Sequence, residues 1–231
     1  MHMNLSSETF TVLKNFGSIN RYLLIEPGRT LQTSMAAGVL ARAVVKEYFP
    51  SQIIIHDLNQ FLSVAGLFRE PHFWFDAGFV RITGTDGGAE AFYLYGPRLI
   101  THSVPSIPPA TPKRVIEFDL PEDKWSEIQK AATVLGKKEV RIVSDGEVVH
   151  IQTYDLKNPS ANTYIMPVQA QPDGVSCEHT LSLASINLVK GSYRVTVSAH
   201  FTTFTNISGY DLKYWVACDH TSTFNSRATA A

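Results

Sequence analysis

Four stretches of the chain space their apolar residues every three or four positions, as an amphipathic helix does. The longest begins at Pro121, carries Glu122 and Asp123 near its start, and is followed by Gly136, all of which are typical helix-boundary signals. Ser6 or Ser7 and Asp57 are suitable N-caps for two of the others. The pattern predicts helices over residues 7–16, 57–67, 121–135 and 183–188.

Most of the remaining chain alternates between apolar and polar residues. In residues 192–200, Tyr193, Val195 and Val197 alternate with polar side chains. Such alternation is typical of half-buried strands in an antiparallel sheet. Turn signals such as Asp145-Gly146 lie between the alternating segments, which indicates strands joined by short hairpins.

Residues 101–114 interrupt both patterns. This segment contains Pro105, Pro108, Pro109 and Pro112, and prolines remove backbone donors and prevent a helix. We therefore predict an extended linker between an N-terminal domain over residues 1–100 and a C-terminal domain over residues 115–231. Because each half contains two helices interleaved with strands, the order of elements predicts two similar α+β domains.

Composition narrows the classes of function. The 231 residues include 20 Lys and Arg against 21 Asp and Glu, a net charge of −1. A protein that grips nucleic acid over its whole surface is strongly basic, so any DNA contact has to come from a local basic face. No apolar run reaches the ~20 residues of a membrane helix, and residues 1–5 do not resemble a signal peptide, which predicts a cytoplasmic protein with no membrane partner.

Catalytic signatures are scarce, since the sequence lacks the P-loop, dinucleotide-binding, zinc-protease and nucleophile-elbow motifs. The strongest alternative is a zinc or thiol site built from Cys177, His179, Cys218 and His220, which offer four ligands. Their spacing of two residues within strand patterns differs from that of zinc knuckles. We therefore favour part-buried thiols and surface histidines, which suits a reducing compartment.

Basic residues recur on the exposed sides of the predicted helices. Lys14 projects away from the apolar side of the first helix, and Lys130 lies opposite Trp125 on the third. One lysine on a helix is usually only solvated, but recurrence on equivalent helices of a repeated unit favours a shared basic surface. The candidate residues for such a surface are Lys14, Arg21, Lys124, Lys130, Lys137, Lys138, Asn187 and Lys190.

Three groups of short segments are similar to one protein family. They are Leu13-Lys14-Asn15-Phe16 with Ile19-Asn20, Asp57-Leu58-Asn59 with Phe61-Leu62, and Gly191-Ser192-Tyr193 before a strand. In their joint order and spacing they resemble the sliding clamps of T4-like bacteriophages, the DNA polymerase processivity factors. The first 65 residues carry the resemblance most strongly, and the second half matches mainly in the order of its elements.

The resemblance implies an α+β fold of two similar DNA-clamp domains, with antiparallel sheets outside and two helices per domain lining a ring. Clamp rings contain six such domains, so a two-domain chain implies a homotrimer that encircles duplex DNA without reading its sequence. The candidate residues would then face phosphates loosely, often through water, which permits sliding.

The resemblance also implies partners. These are the DNA polymerase, a clamp-loader complex that opens the ring with ATP, and the factors of late transcription. Since the loader hydrolyses the ATP, the chain itself is expected to be neither an enzyme nor in need of a cofactor.

Two further interpretations remain open on sequence grounds. One is a β-rich structural or ligand-binding protein, such as a virion component, without a clamp role. The other is the metal-dependent or thiol enzyme built on the two cysteine–histidine pairs.

Overall fold

The computed structural model describes residues 2–35, 38–85, 87–96, 116–172 and 174–226, so the predicted linker over residues 101–114 lies outside the described part of the chain. The α-helices within it are α1 (Ser7–Ile19), α2 (Leu58–Ala65) and α3 (Glu122–Val134). None of the described helices is long and apolar enough to cross a membrane.

The described chain divides into two compact units. The first comprises residues 2–35 and 40–96 with the short segment Tyr210–Leu212, and the second comprises residues 38–39, 116–209 and 213–226. The following paragraphs take each unit by itself, and a strand is described with the unit that contains most of its residues.

Antiparallel strands and two helices build the first unit. Its strands are β1 (His2–Asn4), β2 (Leu23–Ile25), β3 (Gly28–Met35), β4 (Val39–Phe49), β5 (Ile53–Ile55), β6 (His72–Phe75), β7 (Phe79–Thr83) and β8 (Glu90–Leu94). One sheet has the order β1-β6-β7-β8, β2 pairs with β5, and β3 neighbours β4. The fully buried Phe16, Phe49 and Phe73 lie in its core, where the ring of Phe61 lies 5.8 Å from that of Phe73.

The second unit places α3 with two groups of strands. They are β9 (Ile116–Leu120), β10 (Glu139–Asp145), β11 (Val149–Tyr154), β12 (Ile165–Val168), β13 (Val175–Ser182), β14 (Tyr193–Val197), β15 (Phe201–Asn206), β16 (Asp211–Ala217) and β17 (Thr223–Ser226). One sheet has the order β12-β11-β10-β13-β17, and β9, β14, β15 and β16 follow one another in a second. Pairing is antiparallel, with Ile142 opposite both Ile151 and His179. Inward-facing aliphatic residues of both sheets, together with Trp125 and Phe204, form this core.

The α+β class, the antiparallel sheets and the first three helices confirm the sequence-based expectation. The observed helices begin or end within three residues of the predicted boundaries, since 7–16, 57–67 and 121–135 become 7–19, 58–65 and 122–134.

The expectation of two helices in each domain is wrong for the second half of the described chain. Residues Leu183–Ser185 form a single 3₁₀ turn where a helix over 183–188 was predicted. The reason lies just beyond the turn, at Val189. Its N–H donates to the hydroxyl of Tyr214 over 3.2 Å, and its carbonyl accepts from the hydroxyl of Tyr193 over 2.6 Å. These buried side chains take the backbone groups that a continuing helix would use.

Candidate nucleic-acid interface

Helix α1 presents a polar stripe on the side opposite its core contacts. Its buried side includes Val12, Leu13 and Phe16. At 100° per residue the opposite side carries Ser7, Thr11, Lys14 and Ser18. The Thr11 hydroxyl donates to the Ser7 carbonyl over 2.8 Å, so that part of the stripe is held close to the helix backbone.

The N-terminus of α1 is fixed at two places. The Ser6 hydroxyl accepts from the N–H of Thr9 over 3.2 Å, as an N-cap does. The carboxylate of Glu47 on β4 accepts from the N–H of Ser6 and from the hydroxyl of Thr9, each over 2.5 Å. A negative charge at this end also suits the helix dipole. The orientation of α1, and therefore of Lys14, is set by a side chain from the neighbouring sheet.

Helix α2 packs directly beside α1. The side-chain amide of Asn59 donates to the carbonyl of Gly17 over 3.2 Å. A Cβ atom on Gly17 would lie 2.6 Å from Asn59 Oδ1, so glycine permits this close approach. The side of α2 away from its buried Leu58 and Phe61 carries Asn59, Gln60 and Ser63, all of them uncharged.

Helix α3 has a mixed outward face. Trp125, Ile128 and Ala132 are buried. The opposite side carries Asp123, Glu127, Lys130 and Val134. Lys130 therefore lies at the centre of the exposed side of α3, much as Lys14 does on α1.

The basic candidates fall into two groups, of which the first is exposed. Lys14, Lys130, Lys138 and Lys190 have exposed side chains, as does Asn187, and the structure records no salt bridge for these lysines within the described residues. Lys190 and Asn187 lie after the 3₁₀ turn, on non-helical chain rather than on a helix face.

The second group is engaged in ion pairs within its own unit. Arg21 lies 2.6 Å from the Asp57 carboxylate, and Lys124 lies 3.0 Å from Glu127 on the same helix. Hydrogen bonding to these carboxylates raises the pKa of both Arg21 and Lys124. Lys137 differs most from expectation, because only 7% of its side chain is exposed and its ammonium lies 3.2 Å from Asp155.

Sequence reasoning missed the polar stripe itself. Thr11 and Ser18 share the outer side of α1 with Lys14, and Asn59 and Ser63 lie on the exposed side of α2. A signal was available, since small polar residues recur at helical spacing in both segments. Such a surface contains few fixed charges and many groups that can bind water or phosphate oxygens.

The cysteine–histidine pairs are placed differently from a metal centre. Cys177 and His179 lie on the buried side of β13, where His179 Nδ1 is 2.9 Å from the Thr202 hydroxyl. Burial raises the pKa of the Cys177 thiol to about 11 and lowers the pKa of His179 to about 4. Cys218 donates to the carbonyl of His200. Within the described ranges no three Cys, His, Asp or Glu side chains are grouped as metal ligands.

No family model matches the chain. It is 26% identical over 222 residues to the sliding clamp of Vibrio phage KVP40, a match that covers 94% of this chain and 99% of that protein. It is 36% identical over 66 residues to the sliding clamp of Escherichia phage RB69, covering 28% of this chain and 29% of that one. Its structure matches the proliferating cellular nuclear antigen of Entamoeba histolytica with a TM-score of 0.67 at 13% identity, covering 94% of this chain and 98% of that one.

Proposed function

We propose that this chain, which is similar to a phage sliding clamp along 94% of its length and has the DNA clamp fold, is a non-catalytic processivity factor that encircles duplex DNA as a homotrimer and tethers the phage DNA polymerase. The observation that carries the proposal is the similarity along 99% of the KVP40 clamp, because it spans both halves of the chain.

The outer sides of α1 and α2 and the mixed outward face of α3 are the surfaces we assign to DNA. Lys14 and Lys130 lie at the centres of the exposed sides of α1 and α3, among side chains that bind water. A few cations over such a surface attract phosphates without fixing the duplex in one register. Loose attraction of this kind is what a sliding contact requires.

Within the candidate set we rank the residues by their freedom to reach a phosphate. Lys14, Lys130, Lys138 and Lys190 stand first because their side chains are exposed, and Asn187, which is also exposed but already has an interaction of its own, follows them. Arg21 and Lys124 stand second, since a phosphate has to compete with a carboxylate for each of them. Lys137 stands last, because its buried ammonium would lose Asp155 without gaining full solvation.

We propose that subunits associate through sheet edges, between the first domain of one chain and the second domain of the next. In the described part of the first unit the five-residue strand β8 lies at an edge of its sheet, where Phe92 is 57% exposed and Leu94 66% exposed. In the second unit the edge strand β12 carries Ile165, which is 53% exposed. Exposed apolar side chains on unpaired edges favour pairing with another chain.

We further propose that a clamp-loader ATPase opens this ring, that late-transcription factors use it, and that it acts in the host cytoplasm. These partners are those of a phage sliding clamp. Ring opening by a separate ATPase requires no cofactor in this chain.

The DNA surface is tested by charge reversal at single sites. We expect Lys130→Glu, and Lys14→Glu likewise, to reduce processive synthesis with loader and polymerase several-fold at low salt, and less strongly at higher salt, because salt screens the attraction that the variant lacks. Lys157→Glu, at another exposed lysine of the second unit, is the matched control. Sedimentation should still give a mass near three times 25.6 kDa for each variant. Equal synthesis by Lys130→Glu and Lys157→Glu would remove Lys130 from the DNA surface.

The subunit edge is tested in the absence of DNA. Leu94→Lys introduces a charge at the exposed edge of β8 and should shift the sedimenting species from trimer towards monomer. Leu67→Lys, at a side chain 77% exposed just after α2, is the control and should remain trimeric. A fully trimeric Leu94→Lys protein would exclude β8 from the interface.

A further inference from the structure

The connection from β11 to β12 folds against helix α3. This segment, residues 155–164, is here called the 155–164 arm. It begins at Asp155, whose carboxylate accepts from the N–H groups of Lys157 and Asn158 over 3.0 and 3.1 Å. It ends at Tyr164, whose N–H donates to the Thr153 hydroxyl over 2.9 Å. The arm is therefore an ordered loop with its own internal bonds.

The start of the arm is tied to the chain that follows α3. The Lys137 ammonium lies 3.2 Å from the Asp155 carboxylate, and the Lys137 side chain is 7% exposed. The N–H of Lys137 donates to the carbonyl of Ala132 on α3 over 2.8 Å. Because the Lys137 side of this ion pair is buried while the Asp155 side chain is 32% exposed, the pair is screened less than one between two exposed side chains.

The end of the arm is tied to the exposed side of α3. The Tyr164 hydroxyl donates to the carboxylate of Glu127. The other oxygen of the same carboxylate accepts from Lys124 over 3.0 Å. The Tyr164 bond is the first cause of the lowered pKa of Glu127, so the acceptor is charged at neutral pH. A hydrogen bond to a charged acceptor is stronger than one between neutral groups.

Strand β12 begins directly after Tyr164. It has only four residues, Ile165–Val168, and its described ladder is to β11 alone. Pro167 lacks an N–H, which reduces the number of donors that this short strand can offer. A strand this short needs support from outside its own ladder to keep one position.

We propose that Tyr164 and Lys137 are positioning residues for subunit association, which hold edge strand β12 against helix α3 so that it can pair with the next subunit. The inference rests on the proposed function, because it requires that β12 forms a subunit edge. It gives Lys137 a role apart from DNA, and it gives Glu127 two partners, Lys124 on its own helix and Tyr164 at the edge.

The test measures subunit association of the full chain by sedimentation over a range of concentrations. Tyr164→Phe removes only a hydroxyl group and should weaken association about tenfold, equivalent to about 1.4 kcal/mol. Tyr48→Phe, at an exposed tyrosine of the first unit, is the matched control and should associate like the unmodified protein. Equal association constants for the two variants would overturn the inference.

Conservative and truncating changes at Glu127 separate positioning from charge. The Glu127→Gln amide oxygen still accepts from Tyr164, but as a neutral group, so association should be weakened clearly less than in Glu127→Ala although the ion pair with Lys124 is lost. Glu127→Ala should weaken association to the same extent as Tyr164→Phe. Combining Tyr164→Phe with Glu127→Ala should weaken association no further, because both changes remove the same hydrogen bond. Loss of association in Glu127→Gln equal to that in Glu127→Ala would contradict a positioning hydrogen bond.

Failure of the inference is distinguishable from failure of the proposed function. An unmodified chain that is monomeric at every concentration overturns both. A trimeric unmodified chain, with Tyr164→Phe equally trimeric on dilution, overturns the positioning role alone. Hydrogen exchange at residues 165–168 gives an independent readout, and faster exchange in monomeric Tyr164→Phe than in monomeric Tyr48→Phe is the result expected.

Discussion

The two units share an order of elements but use it differently. In the first, α1 and α2 each have a side-chain N-cap, from Ser6 and Asp57, and the pair touch where Gly17 meets Asn59. In the second, α3 begins at Pro121 without a side-chain cap bond, and a 3₁₀ turn stands where the second helix of a strict repeat would lie. A repeated pattern of elements therefore does not specify a repeated helix pair.

The cores differ in polarity as well. The buried polar side chains in the described part of the first unit are Thr9 and Thr33. Those of the second unit are Arg141, Ser144, Thr153, His179, Thr180, Thr196, Ser198, Thr202, Thr203 and Asn206. Buried polar groups depend on their hydrogen-bond partners and, where they titrate, on pH. The second unit should therefore be the more sensitive of the two to acid and to loss of single hydroxyl groups.

Acid gives the largest contrast between the units. Burial lowers the pKa of His179 from an unfolded value of 6.5 to about 4, so the unfolded chain binds this proton more readily. Stability conferred by neutral His179 is complete above pH 6.5 and is lost as the pH falls towards 4, by on the order of 3 kcal/mol. This loss of stability is measured by urea unfolding between pH 7 and pH 4.5, with hydrogen exchange as the probe of each unit.

The first unit supplies the internal control for acid. Its half-buried Glu47 has a lowered pKa through bonds from Thr9 and Ser6 that outweigh the effect of burial. Stability from Glu47 is therefore lost only below the ordinary glutamate range, at lower pH than stability from His179. His179→Gln should flatten the pH dependence of the second unit. The acid sensitivity of the second unit would not come from His179 if the free energy of unfolding fell equally steeply with pH in both units, or if His179→Gln left that dependence unchanged.

Removal of one tyrosine hydroxyl should give an intermediate effect. Tyr193→Phe leaves the buried carbonyl of Val189 without its donor, at a cost of about 1–3 kcal/mol in the free energy of unfolding. Tyr48→Phe in the first unit removes an exposed hydroxyl and should change stability by less than about 0.5 kcal/mol. The urea midpoints of Tyr193→Phe and Tyr48→Phe, measured at an unchanged slope, compare the two losses of stability. Equal midpoints would mean that the hydrogen bond from Tyr193 to the Val189 carbonyl does not hold the non-helical segment in place.

The same residues explain how far the sequence could predict the fold. Helices α1, α2 and α3 were predictable because apolar spacing and their boundary residues are local. The turn at Leu183 was not, because one of the groups that holds Val189 is Tyr214, 25 residues away. Alternation predicted strands and their buried sides, yet sheet order depends on contacts between distant segments.

The candidate site divides along the same line. The exposure of Lys14 and Lys130 follows from helical periodicity, so a sequence can indicate it. The pairing of Lys137 with Asp155 joins positions 18 residues apart, and that of Arg21 with Asp57 joins positions 36 residues apart. No periodicity reveals such pairs. The sequence therefore identifies the candidate basic residues. Only the tertiary contacts distinguish the exposed lysines from the basic residues that are paired with a carboxylate.

The smallest expected effect concerns the cap that distinguishes α2 from α3. The Asp57 carboxylate accepts from the N–H of Gln60 over 3.0 Å and from Arg21 over 2.6 Å. The bond from Gln60, followed by that from Arg21, lowers the pKa of Asp57. Asp57→Ala should cost about 1 kcal/mol of stability, and Asp57→Asn clearly less, because asparagine caps a helix nearly as well but cannot pair with Arg21. Urea unfolding of both variants measures the difference. If Asp57→Asn is as unstable as Asp57→Ala, the ion pair and not the cap holds the start of α2, and the contrast with α3 then rests on charge.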